Sequence, residues 1–138
     1  MAELSDDVRA LIDEPNLAHF VTLMKNGSPQ VTPVWVDHDG VHVLINTAEG
    51  RQKPLNLRRD PRVALSIVDR NNTQRYVQVR GRVVDIVGGE EAYQHINKLA
   101  KKYSGNPDRQ YPRRDGEERL LIKIRPDHVS FRPGARRD

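Results

Sequence analysis

The sequence predicts a mainly β chain, a small antiparallel barrel or sandwich of about six strands connected by short helices and tight turns. Three observations carry that expectation. Apolar residues cluster in short runs bounded by Gly, Pro, Asn and Asp. Asn26-Gly27 and His38-Asp39-Gly40 mark reversals between consecutive runs, because Asn and Gly tolerate positive φ. Only one long segment, Glu90–Tyr103, keeps helical spacing.

Taken in order, Ser5 caps a short helix with Asp6 and Asp7 in its first turn, and Val8, Leu11 and Ile12 share one face. Pro15 and Asn16 end it. Leu17–Lys25, Gln30–Asp37 and Val41–Asn46 then read as a three-strand meander. Pro33 interrupts the second of these strands, and its missing donor marks a sheet edge, a bulge or a place where another group lies alongside. Thr47 opens a helix to about Arg59, with Pro54 tolerable in the first turn, and Asp60-Pro61 closes it.

Arg62–Asp69 and the long run Arg75–Val87 are the next strands, with Gly81 predicted to bend or bulge the second. In the helix Glu90–Tyr103, Ala92, Ile96, Leu99 and Ala100 line one side, while Lys98, Lys101 and Lys102 are expected to face outward. A polar loop, Ser104–Glu117, leads to two closing strands, Arg119–Arg125 and His128–Arg132, separated by Pro126; Pro133–Asp138 is expected to fray. At 138 residues the chain suits one domain, residues 1–138.

Composition narrows the function classes. The chain has no Cys, which excludes disulfides, thiolate metal sites and cysteine nucleophiles together. The start of the sequence has no basic, then apolar, signal-peptide pattern, and no apolar run approaches the ~20 residues that cross a bilayer. A cytoplasmic location is therefore expected. The net charge of +4 raises a nucleic-acid reading, but the cations are scattered among 19 acidic residues with no interleaved aromatic block, so a solvated mixed-charge surface is preferred. The histidines at 19, 38, 42, 95 and 128 lack ligand spacing, so no metal is expected, and no hydrolase elbow, P-loop or dinucleotide fingerprint is present.

One constellation remains. Around Thr47–Lys53 a strand gives way to a helix that begins with two cations. Arg51 offers a planar fork and Lys53 a point charge, a pair suited to one phosphate, although both also read as ordinary solvated helix residues.

The stretches GSPQVTPVWV, NTAEGRQKPLNLRRDPRVALSIVD, RYVQVRGRV and ERLLIKIRPDHV occur in that order between Leu17 and Val129. Together they resemble the pyridoxamine 5′-phosphate oxidase-like split-barrel superfamily, and most closely its branch of F420-dependent reductases. The resemblance implies a six-stranded antiparallel split β-barrel with short helices, forming a homodimer with cofactor grooves at the interface. Arg51 and Lys53 then correspond to the phosphate-binding cations, with Asn56 following on the same helix. Pro33, Val34 and Trp35 occupy the strand along the cofactor ring, and Thr47 sits at the strand end beside it. Gln74, Arg75 and Tyr76 match a segment that reaches in from the other subunit. For Trp35, a core or dimer-interface anchor and a ring contact are equal readings. Tyr76 reads equally as a cross-strand packing residue.

By the same resemblance the cofactor is F420, with FMN as the alternative. Arg58, Arg59, Arg109, Arg113 and Arg114 are candidates for the acidic F420 tail. The implied activity is hydride transfer between the deazaflavin and a small electron-poor substrate, with the catalytic residues and any proton donor unassigned. An FMN-binding oxidoreductase and a non-catalytic cofactor carrier are the alternatives. Val129-Ser130-Phe131-Arg132 lacks the arginine–histidine pair expected of a true pyridoxamine phosphate oxidase.

Overall fold

A computed structural model of the chain describes residues 1–135. Along the chain lie α1 (Asp6–Asp13), β1 (Ala18–Leu23), β2 (Pro29–Val34), β3 (Asp37–His38), β4 (Val43–Ala48), α2 (Gln52–Arg59), β5 (Arg62–Asp69), β6 (Asn72–Val87), α3 (Glu90–Ser104) and β7 (Arg119–Pro133). All pairings are antiparallel, in one curled sheet of order β2-β1-β5-β6-β7-β4-β3.

The mainly β, antiparallel expectation holds, with seven strands in place of six. His38, expected in a turn, pairs with Val43 and so forms the short β3. The two closing runs fuse into β7 despite Pro126, because the ladder shifts register opposite it, between Arg80 and Gly81. A Cβ on Gly81 would lie 2.1 Å from the Arg125 carbonyl oxygen, so only glycine admits that approach. The Asn26-Gly27 reversal forms with positive φ at Gly27 alone, and Asn26 Oδ1 accepts from the Ser28 amide at 3.0 Å. The frayed end expected beyond β7 lies, from residue 136 on, outside the described residues.

Two packing regimes divide the sheet. On β5, buried and half-buried residues alternate, the pattern of a sheet with one dry face. Its dry side joins Phe20, Val43, Ile45, Val77, Val79, Ile122 and Ile124 in the barrel interior, where α1 contributes Val8, Leu11 and Ile12 and α2 contributes Leu57. On β4 and β7 consecutive residues are buried. There α3 covers the outer face and packs Ala92 on Leu44 and Leu121, while Tyr93, Ile96 and Leu99 meet Trp35, Tyr103 and Tyr111.

Lys102 departs from expectation. Its ammonium turns inward and donates to the carbonyl oxygens of Ile12 (2.5 Å) and Val36 (2.7 Å), tying the end of α3 to α1 and to the β2–β3 link. Those two unpaired carbonyls attract the cation where helical periodicity alone places it in water. Burial brings its pKa down from 10.5 to about 8. Between those values the unfolded chain binds more protons than the folded one, so stability attributable to Lys102 rises with pH from about 8 to 10.5 and is flat below. Urea denaturation across that window is expected to show the native chain gaining on the order of 1–2 kcal/mol relative to Lys102→Met, after allowance for solvent screening.

Candidate functional site

A groove of about 350 Å³ opens where α3, β4, the start of α2 and the end of β2 converge. It gathers Pro33, Val34, Trp35, Thr47, Arg51 and Lys53. Pro33 lies on β2, the edge strand, opposite His19 of β1, so its missing donor costs no ladder bond. Thr47 belongs to β4, which runs on to Ala48, so the helix starts later than predicted, at Gln52. Pro54 accordingly falls in the first turn of α2.

Trp35 is held by its neighbour. Its ring stacks on Tyr103, with centroids 5.2 Å apart and planes 8° from parallel. The Tyr103 hydroxyl donates to the Asn16 carbonyl (2.6 Å) and accepts from the Val36 amide (3.0 Å), and burial pushes its pKa up to about 12. A second, larger cavity of about 570 Å³ shares Leu17 and Trp35 with the groove and is also bordered by His19, Arg70, Tyr103 and Arg109.

The two predicted cations sit together. Arg51 is exposed and reaches Glu117 only at 3.9 Å. Lys53 is half-buried and forms no ion pair within the described residues; burial, and next the charge of Arg51, depress its pKa. The groove also contains residues that sequence reasoning missed: Asn46, Tyr111 and Arg119, with Leu17, Ile96 and Leu99 as apolar lining. Arg119 stands at the head of the ERLLIKIRPDHV stretch, so its position was visible in the sequence but its direction was not. Tyr111 comes from the polar loop after α3, whose backbone amide there donates to Asn97 Oδ1 at 2.7 Å.

The other predicted residues lie elsewhere in the subunit. Asn56 is buried beneath α2, donating to Thr22 Oγ1 (2.9 Å) and accepting from Gln52 (2.8 Å) and Arg59 (2.8 Å). Gln74, Arg75 and Tyr76 are at the start of β6, away from the groove of the same chain, and Arg75 is clamped by Glu14 (2.8 Å) and Asp69 (2.9 Å). Of the arginines considered for an acidic tail, Arg58 pairs with Glu49, Arg113 with Glu90, and Arg114 lies 3.8 Å from Glu117. Arg59 donates to the Leu23 carbonyl, and Arg109 borders the larger cavity without an ion-pair partner among the described residues.

A curled antiparallel sheet with short helices, and a cationic groove beside a tryptophan-lined cavity, define a split-barrel protein. The family profile described as pyridoxamine 5′-phosphate oxidase matches residues 4–132, and the chain belongs to that family, on its F420-reductase side. A solved F420 reductase is 33% identical, with 88% of this chain and 94% of that one covered and a TM-score of 0.78. The conserved hypothetical protein Rv2991 from Mycobacterium tuberculosis is 22% identical over 96% of this chain and 88% of its own, with a TM-score of 0.74. HutZ, a heme storage protein from Vibrio cholerae, shares the fold at 11% identity, covering 95% and 96% with a TM-score of 0.66. Among curated proteins none matches the chain.

Because Asn56 is itself buried and satisfies the buried Thr22 hydroxyl on β1 while linking two α2 side chains, Asn56→Ala is expected to cost about 2 kcal/mol by leaving that hydroxyl unpaired. Urea denaturation measures that loss, and ligand affinity at the groove should change far less than stability does.

Proposed function

We propose that the chain is an F420-dependent oxidoreductase that holds its cofactor in the groove of Pro33, Val34, Trp35, Thr47, Arg51 and Lys53, at the interface of a homodimer, and acts on a small electron-poor molecule. FMN is the alternative cofactor. The observation that carries the reading is a pair of neighbouring cations in one groove, Arg51 with a carboxylate only at 3.9 Å and Lys53 with no ion pair among the described residues, beside a stacked tryptophan and an edge-strand proline. An anionic phosphoryl group relieves the mutual repulsion of Arg51 and Lys53, and Arg51 can meet it with two parallel N–H donors. The 33% identical F420 reductase favours the deazaflavin over FMN.

When bound, the ring system supplies hydride chemistry. The chain's own part is to grip the phosphoryl end, bound the ring with Trp35 and the unpaired edge of β2, and exclude water beside it. The 570 Å³ cavity across Trp35 lies within the size range of small-molecule sites and is the proposed place for substrate. A second copy is expected to cover the outer face of β1 and β2, where Val31 is 59% exposed, and to bring Gln74, Arg75 and Tyr76 toward the groove.

Fluorescence titration with F420 and with FMN tests the reading. F420 is expected to bind with a micromolar or tighter Kd, about −8 kcal/mol, and Lys53→Ala to weaken it severalfold. Tight FMN binding without F420 affinity moves the protein to the flavin alternative. Failure of both ligands to bind, or equal binding by Lys53→Ala, removes the phosphate assignment.

A further inference from the structure

The geometry points to Arg119 as a third cation of the groove, an anchor for an anionic group of the ligand, with Asn46 and His95 as the residues that position it. The inference deepens the cofactor reading above and rests on it. Arg119 is only 4% exposed, yet it borders the groove. Its Nε–H donates to Asn46 Oδ1 (2.9 Å) and its Nη1 to the Tyr111 hydroxyl (3.3 Å). The Glu117 carboxylate lies 3.6 Å from Nη1, too far for a hydrogen bond. Nη2 has no partner among the described residues, but it is not sealed in; the sealed, unpartnered side-chain atoms there are Thr32 Oγ1 and Glu117 Oε1. Arg119 lines the groove and also a smaller cavity with Gly88, Tyr93 and Glu118, and its free guanidinium edge is assigned to an anion in the groove.

The local charge is unbalanced. Glu117 is the single carboxylate near Arg51 (3.9 Å), Arg114 (3.8 Å) and Arg119 (3.6 Å), and it satisfies none of them with a close contact. Lys53 lines the groove with Arg51 and has no ion-pair partner among the described residues, so the groove carries an excess of positive charge that an anionic ligand group offsets.

What holds Arg119 in place follows from hydrogen-bond chemistry. Asn46 Nδ2 is 2.9 Å from the Ala92 carbonyl, which only accepts, while Asn46 Oδ1 is 2.9 Å from Arg119 Nε, which only donates. The opposite amide orientation sets like against like at both contacts. The second N–H of Nδ2 then meets His95 Nδ1 at 3.1 Å, so that nitrogen carries a lone pair and the imidazole proton resides on Nε2, donated to Asp37 Oδ2 at 3.2 Å. Asp37 also accepts from Lys98 Nζ (3.1 Å). Burial alone raises the Asp37 pKa, but the His95 hydrogen bond, the His38 backbone amide and Lys98 outweigh it and keep the carboxylate ionised.

The chain Asp37–His95–Asn46–Arg119 thus runs from β3 through α3 and β4 to β7. A side chain at position 95 without that acceptor releases the Asn46 amide, which can then turn its NH₂ toward Arg119 Nε. The guanidinium loses its anchor. The charged groups around the imidazole are Asp37 from β3 and Lys98 from α3, with Arg119 of β7 beyond the neutral Asn46 of β4.

Sulfate, a dianion throughout the neutral range, is a suitable probe, and F420 and FMN are titrated beside it. Arg119→Gln is expected to weaken sulfate binding about tenfold, with partial recovery in Arg119→Lys. His95→Gln, whose amide oxygen accepts from Asn46, should keep sulfate affinity close to native, His95→Leu, which removes that acceptor, should weaken it severalfold, and ¹⁵N spectra of the native imidazole should show the proton on Nε2. Undiminished sulfate binding by a folded Arg119→Gln, or a proton on Nδ1, overturns the inference. If Arg119→Gln does not fold, the sulfate affinities of His95→Leu and His95→Gln and the ring spectrum decide. Arg119-dependent sulfate binding without F420 or FMN affinity leaves the anchor standing and removes the cofactor reading. F420 binding unchanged by Arg119→Gln does the reverse.

Discussion

Laying α3 across the outer face of β4 and β7 buries Asp37, His95 and most of Arg119 and half-buries Asn46, and polar groups in that position satisfy one another. Apolar packing of Ala92 on Leu44 and Leu121 provides the adhesion. The polar chain beside it decides how the two layers register, since each member has one chemically acceptable orientation. The groove lies beside this contact, with Ile96 and Leu99 of α3, Trp35 and the start of α2 among its walls.

The same economy holds Trp35. Its ring lies between the groove and the larger cavity, and Tyr103 fixes it through stacking while its hydroxyl engages Asn16 and Val36. Lys102, next along α3, caps the carbonyls of Ile12 and Val36. One helical turn therefore ties α1, the β2–β3 link and the aromatic wall together. Rigid support of this kind suits a planar ligand, because little ordering remains to be done when it binds.

Much of the sheet was legible in the sequence because strand periodicity and turn chemistry act locally. Asn26-Gly27 reverses the chain, the Pro33 strand falls on an edge, and Gly81 bulges, each for reasons contained in a few neighbouring residues. The misreadings share a different cause. Pro126 was expected to divide a strand, yet Gly81 on the facing strand absorbs the irregularity. Lys102 was placed outside by helical spacing, but distant carbonyls draw it inward. Arg51 and Lys53 were recognisable because they are adjacent and follow a strand end. Arg119 and Tyr111 are far from them along the chain; pairing of β4 with β7 brings Arg119 beside Asn46, and the loop after α3 brings in Tyr111.

The sequence by itself determined the fold class, the order and approximate bounds of its elements, the cation pair at the start of α2 and the family to which the chain belongs, since these depend on local pattern and on motifs in series. Tertiary structure decided which side of β7 Arg119 faces, how Asn46 and His95 orient, and that Asn56 supports the barrel from beneath α2. Those outcomes depend on what lies across a strand or under a helix, and hydrogen bonds in a low-dielectric interior are selected by partners remote in the chain.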